Sequence, residues 1–187
     1  MAKAEAQNSW FSTYFFLIRS KSYNVLDPEI RRMIEEISSL GHVISLHFDT
    51  SIYDDFETGL FEELKLFEKI FGVTPTVISL HRPNEFFLQG EQLNGIGIRH
   101  TYEKCYFEEI KYISDSGGSF RFGHPLKSDA YERGEPIQLL THPLWWNTDG
   151  DSPEIKLEAF FEEVKAKFSQ HMADNCIPWR RFLEKDK

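Results

Sequence analysis

The stretch GHVISLHFD, residues Gly41 to Asp49, decides the architecture. Val43, Ile44 and Leu46 make a short apolar run that reads as a buried strand, and Gly41 ahead of it closes a helix. His47 and Asp49 project from the carboxyl end of that strand, on one side of an extended chain. In α/β proteins, ligands and metals gather at strand carboxyl ends. The stretch therefore predicts an α/β fold with a site where this strand stops.

On the N-terminal side, Asp27-Pro28 opens a helix, with Asp27 as cap and Pro28 in the first turn. Ile30, Met33, Ile34, Ile37 and Leu40 form its buried stripe. Ser12 to Ile18 reads as a strand, and Ala2, Ala4 and Ala6 beside Lys3 and Glu5 resemble the second half of a helix. On the C-terminal side, Gly59 to Phe71 reads as a helix that buries Leu60, Leu64, Phe67 and Phe71 and stops at Gly72. Strand Thr76 to Leu80 then delivers His81, Arg82 and Pro83. The pattern weakens from 84 to 135, where Gly97-Ile98 and Tyr112-Ile113 are short β-like pieces. Strand Ile137 to Leu140 delivers His142. Ser152-Pro153 caps a last helix whose Leu157, Phe160, Phe161, Val164 and Phe168 are expected to face inward. This alternation predicts a mostly parallel sheet or barrel wrapped by helices, in one domain spanning 1–187.

Composition narrows the function classes. A hydrophobic content of 41% and 17 phenylalanines indicate a folded globule. The net charge of −9 repels a nucleic-acid backbone or an anionic membrane surface. A neutral or cationic ligand, such as an amino sugar, meets no such barrier. Cys105 and Cys176 form no CxxC motif and no disulfide framework, so a reducing cytoplasm is the simpler expectation, with one disulfide left open. No apolar segment approaches a membrane span; TYFFLI at 13–18 suits a strand. MAKAEAQNSW has no apolar signal core. The expectation is a cytoplasmic protein with neither nucleic acid nor membrane as partner.

The strand ends carry the candidate chemistry: His47 with Asp49, His81 with Arg82, and His142. In a parallel barrel such ends share one face. Imidazole and carboxylate suit a divalent metal such as zinc, and a further imidazole can act as general acid or base. The competing reading makes each histidine a strand cap bonded to a backbone carbonyl. Their recurrence at equivalent strand ends favours a site.

Five blocks in order, STYFFL, GHxIxLHFD, SxHRP, ISDSGG and IQLLTHPLWW, make the chain from Ser12 to Trp146 resemble the polysaccharide deacetylase superfamily (carbohydrate esterase family 4). The resemblance is nearest to members acting in surface-polysaccharide biosynthesis. It implies a distorted (β/α) barrel of about seven strands that removes acetyl groups from N- or O-acetylated sugars with a bound metal, usually zinc. Under it, His47 matches the first histidine of the metal motif, while Ser51 stands where the second is expected, and Asp49 is a substitute oxygen ligand. Arg82 matches the arginine that orients the catalytic base. His142 matches the general acid, and Asp115 the acidic residue that pairs with it. Leu140, Trp145 and His81 fall on the substrate side, and His42, at the far end of its strand, is structural.

The family's first motif supplies an aspartate base and an aspartate ligand on a strand ahead of STYFFL. Here only Glu5 is acidic before Ser12. The expectation is thus an N-terminally truncated barrel, or a degenerate one, prone to self-association through exposed barrel edges. As an enzyme it would be a metal-dependent carbohydrate deacetylase-like hydrolase. The alternative is a non-catalytic barrel that binds carbohydrate or a biosynthetic partner.

Overall fold

Local chemistry sets the element boundaries. The Asp27 carboxylate accepts the backbone N–H of Glu29 at 2.8 Å and of Ile30 at 3.4 Å, which starts a helix over Pro28–Ser39. Asp55 does the same for Glu57 and Thr58, so the next helix begins at Phe56, ahead of the Gly59 expected from its apolar stripe. It ends at Gly72, whose φ of 68° suits a left-handed cap. The computed structural model describes residues 1–93 and 97–185.

In chain order the elements are α1 (Ala2–Gln7), β1 (Thr13–Phe16), α2 (Pro28–Ser39), β2 (Val43–Asp49), α3 (Phe56–Phe71), β3 (Val77–Arg82), α4 (Glu85–Leu88), β4 (Arg99–His100), α5 (Lys104–Phe107), β5 (Lys111–Ser114), α6 (Asp129–Glu132), β6 (Ile137–Leu140), α7 (Pro143–Asn147), α8 (Pro153–Asn175) and α9 (Ile177–Lys185). The chain divides into two compact units. Met1–Tyr112 with Ala130–Gln138 forms the first, and Ile113–Asp129 with Leu139–Lys187 forms the second. The sequence reading treats the chain as one domain.

The first unit is built on a parallel sheet in the order β1-β2-β3-β4. Thr13 registers with Val43, His47 with Ser79, and Val77 with Arg99. The core lies between this sheet and α3, where Leu46, Phe48, Leu60, Phe67 and Ile78 are fully buried. Burying such side chains stabilises a fold by about 1.5–3 kcal/mol each. The α2 stripe is covered less than its periodicity suggests: Ile34 is buried, but Met33 is exposed. β2 and β3 also run past their apolar stretches, to Asp49 and Arg82. β4 falls at Arg99–His100 rather than at Gly97-Ile98.

β5 and β6 form a second, two-stranded sheet. The second unit contains α7, α8 and α9. Ser152 caps α8 through its hydroxyl, which accepts the Ile155 N–H at 3.3 Å. One expectation for α8 needs correction. Leu157, Phe160, Phe161, Val164 and Phe168 do line up by helical period, yet all five are exposed, Phe161 and Phe168 by 63% and 64%. Periodicity defines a stripe but does not supply the surface that covers it.

Candidate functional site

Two groups of side chains carry the predicted chemistry, one in each unit. In the first unit, the β2–β3 ladder steps from Phe48↔Leu80 to Asp49↔Arg82, which leaves His81 as the extra residue of a bulge. Bulges re-aim side chains and recur beside sites. Here the irregularity sets Asp49 next to Arg82, with Oδ2 at 3.8 Å from Nη1.

Asp49 is buried, and its Oδ1 accepts both the backbone N–H of Ser51 at 3.0 Å and the Ser51 hydroxyl at 2.7 Å. Burial pushes its carboxyl up, but these Ser51 hydrogen bonds and the nearby Arg82 and His81 outweigh that and hold it below the ordinary aspartate value. Arg82 donates to the Ser51 hydroxyl at 3.2 Å. The position where the resemblance asks for a second histidine is therefore a hydroxyl bridging Asp49 and Arg82. His47 Nδ1 lies 2.6 Å from the Ser79 hydroxyl, and its ring meets the His81 ring edge-on at 5.3 Å between centroids. His42 is buried, with Nδ1 accepting the Ser12 N–H at 3.2 Å and Nε2 at 3.0 Å from the Ala2 carbonyl. This is the structural role expected of it.

In the second unit, Asp115 and His142 meet. Oδ1 of Asp115 lies 2.6 Å from Nδ1 of His142, and the carboxylate also accepts the His142 backbone N–H at 3.0 Å and 3.1 Å. The Trp146 indole donates to Oδ2 at 2.8 Å. Asp115 is almost wholly buried, while the His142 side chain is 45% exposed. A carboxylate has no proton to give, so it selects the imidazole form with hydrogen on Nδ1 and leaves Nε2 for chemistry.

The loop is held from both sides. Asp115 N–H bonds the Leu140 carbonyl at 3.2 Å, and Gly118 N–H bonds the Asp115 carbonyl at 2.9 Å. Gly118 has φ +79°, and a Cβ there would stand 2.7 Å from Pro153. A cavity of about 300 Å³ adjoins the pair, walled by Asp115, Ser119, Phe120, Trp145, Trp146 and Lys156 among others. Trp145 is among the lining residues. Leu140, half-buried, contributes its carbonyl to the loop and is not among the lining residues.

Sequence reasoning missed Ser79, Phe120, Lys156 and the part played by Trp146. Only Trp146 left a trace: it sits one helical turn after His142, a spacing that lets an indole reach back to the start of α7.

The zinc donors implied by the resemblance do not fit the residues present. Among the described residues no group of three or more His, Cys, Asp or Glu converges to hold a metal ion. His47 and Asp49 alone fall short of the three or four protein ligands that zinc sites take. No helix is long and apolar enough to cross a membrane among the described residues. Comparison with protein-family models, with curated proteins and with solved structures finds no match for this chain.

Proposed function

We propose that this chain is a carbohydrate deacetylase-like hydrolase with a distorted (β/α) barrel of the polysaccharide deacetylase type, acting on N- or O-acetylated sugars. The observation that carries the reading is the 2.6 Å contact between Asp115 and His142, beside a cavity walled by tryptophan. In such a reaction Asp115 holds the imidazole in one tautomer and orientation. Nε2 of His142, unprotonated in that tautomer, takes a proton from the water whose oxygen bonds the acetyl carbon, and gives it to the sugar nitrogen or oxygen as that atom's bond to the acetyl carbon breaks and acetate leaves. Trp145, Trp146 and Phe120 offer flat apolar faces to sugar rings. At about 300 Å³ the cavity sits at the small end of ligand pockets and suits one ring rather than a long segment. Among the described residues the donors expected to hold a metal are not gathered.

The test is acetate release from N-acetylated and O-acetylated amino-sugar oligosaccharides. The wild-type chain should release acetate, and His142→Asn should slow it by about 10²–10⁴-fold.

That no such donor group occurs among the described residues favours a second reading, a non-catalytic fold that binds carbohydrate or a biosynthetic partner. Quenching of tryptophan fluorescence by the same oligosaccharides, with no acetate released, would replace the first reading by the second.

A further inference from the structure

Helix α8 presents apolar side chains that no element covers among the described residues. Every residue from Leu157 to Phe168 is exposed, although Leu157, Phe161, Val164 and Phe168 fall on one face at steps of four, three and four. That spacing is the a/d seam of a helix pair. An apolar helical face left in water is destabilising, and exposed apolar patches mark interaction sites. We infer that this seam is covered by α8 of a second copy of the chain, packed antiparallel.

Self-complementarity identifies the occupant. In an antiparallel pair centred between Phe161 and Val164, Leu157 meets Phe168 of the other copy and Phe161 meets Val164. Each large ring then faces a smaller side chain, which lets the layers interdigitate. A parallel pair would set Phe161 on Phe161 and Phe168 on Phe168, with smaller residues opposed between them. Charge agrees with the antiparallel choice. Glu158 and Lys165 border the same edge of the seam, one toward each end. Reversing the second helix brings Glu158 of one copy to Lys165 of the other. Lys165 and Lys167 flank the seam and are held within the helix by Glu162 at 3.1 Å and Glu163 at 2.7 Å. The seam covers only two heptads, so it implies a reversible dimer rather than a long coiled coil.

Sedimentation equilibrium of the full chain from about 1 to about 100 μM tests the pairing. A monomer–dimer equilibrium is expected, and a monomer throughout overturns the inference. Phe161→Glu with Val164→Glu should weaken the dimer by at least about 100-fold while leaving the far-ultraviolet circular dichroism unchanged, since both sites are exposed. A dimer that survives this double substitution also overturns it. Orientation is read separately, in a Cys105→Ser, Cys176→Ser background. A short bismaleimide should join Glu158→Cys chains to Lys165→Cys chains faster than it joins either chain to itself. Faster self-joining of Glu158→Cys chains means parallel pairing and overturns the proposal.

Discussion

Nδ1 of His142 stands 2.6 Å from Oδ1 of Asp115, and the buried carboxylate is completed by the His142 backbone N–H and the Trp146 indole. Each donor comes from the segment His142 to Trp146, so one short stretch supplies both the imidazole and the contacts that fix its partner.

Asp115→Asn should be far more damaging to turnover than to folding. The amide keeps the volume but cannot accept from every donor at once, and the imidazole loses its enforced tautomer. Acetate release is expected to fall by about 10²–10⁴-fold. The exchangeable Nδ1 proton of His142 should also disappear from the downfield region of the proton NMR spectrum.

Trp146→Phe keeps an aromatic face in the cavity wall and removes only the indole donor. A buried carboxylate deprived of one hydrogen bond costs about 1–2 kcal/mol, to be read from urea unfolding midpoints. Acetate release should drop less than in Asp115→Asn, because the imidazole contact persists.

Gly118→Ala places a Cβ at φ +79° and 2.7 Å from the Pro153 ring. Left-handed backbone and steric overlap together should cost about 2–4 kcal/mol, seen as a lower thermal midpoint. Gly117→Ala separates the two effects. Its φ is +77° with nothing within 4 Å, so only the backbone part is expected.

Two buried carboxyls should impose opposite pH slopes. Glu63 is 2% exposed, and its burial pushes the carboxyl above 4.5 despite hydrogen bonds from Tyr53 and Arg19. The folded chain therefore holds this proton at higher pH than the unfolded chain does. Glu63's contribution to stability is present below about 4.5 and is lost as pH rises through the raised folded value. Asp49, held below 3.8, contributes stability above that pH and loses it as pH falls through its lower folded value. Denaturation midpoints across pH, each compared with Glu63→Gln or Asp49→Asn, should show the two slopes with opposite sign.

The candidate site is legible in the sequence only unevenly. His47, Asp49, Arg82 and His142 were placed at strand ends by apolar runs that stop just before them, and a strand end is a local property. The partnership of Asp115 with His142 entered only through family resemblance, since no periodicity connects residues so far apart. Ser79 and Lys156 gave no warning, because a lone serine or lysine has the same local pattern at a site as on any surface. The bulge that skips His81 and sets Asp49 beside Arg82 was equally hidden, since it belongs to a pairing of two strands.

By itself the amino-acid order determined the strand over Ile137–Leu140, the caps at Asp27 and Ser152, the stop at Gly72 and the α/β class. These follow from side-chain spacing and from hydrogen bonds within a few residues, where the chain needs no distant partner. Tertiary structure alone decided which stripes are covered, burying Leu60 and Phe67 of α3 while leaving Phe161 and Phe168 of α8 in water. It also decided that Asp49 answers to Ser51 and Arg82, and Asp115 to His142 and Trp146. Burial and charge pairing depend on what stands opposite, and that is set by how distant segments fold together.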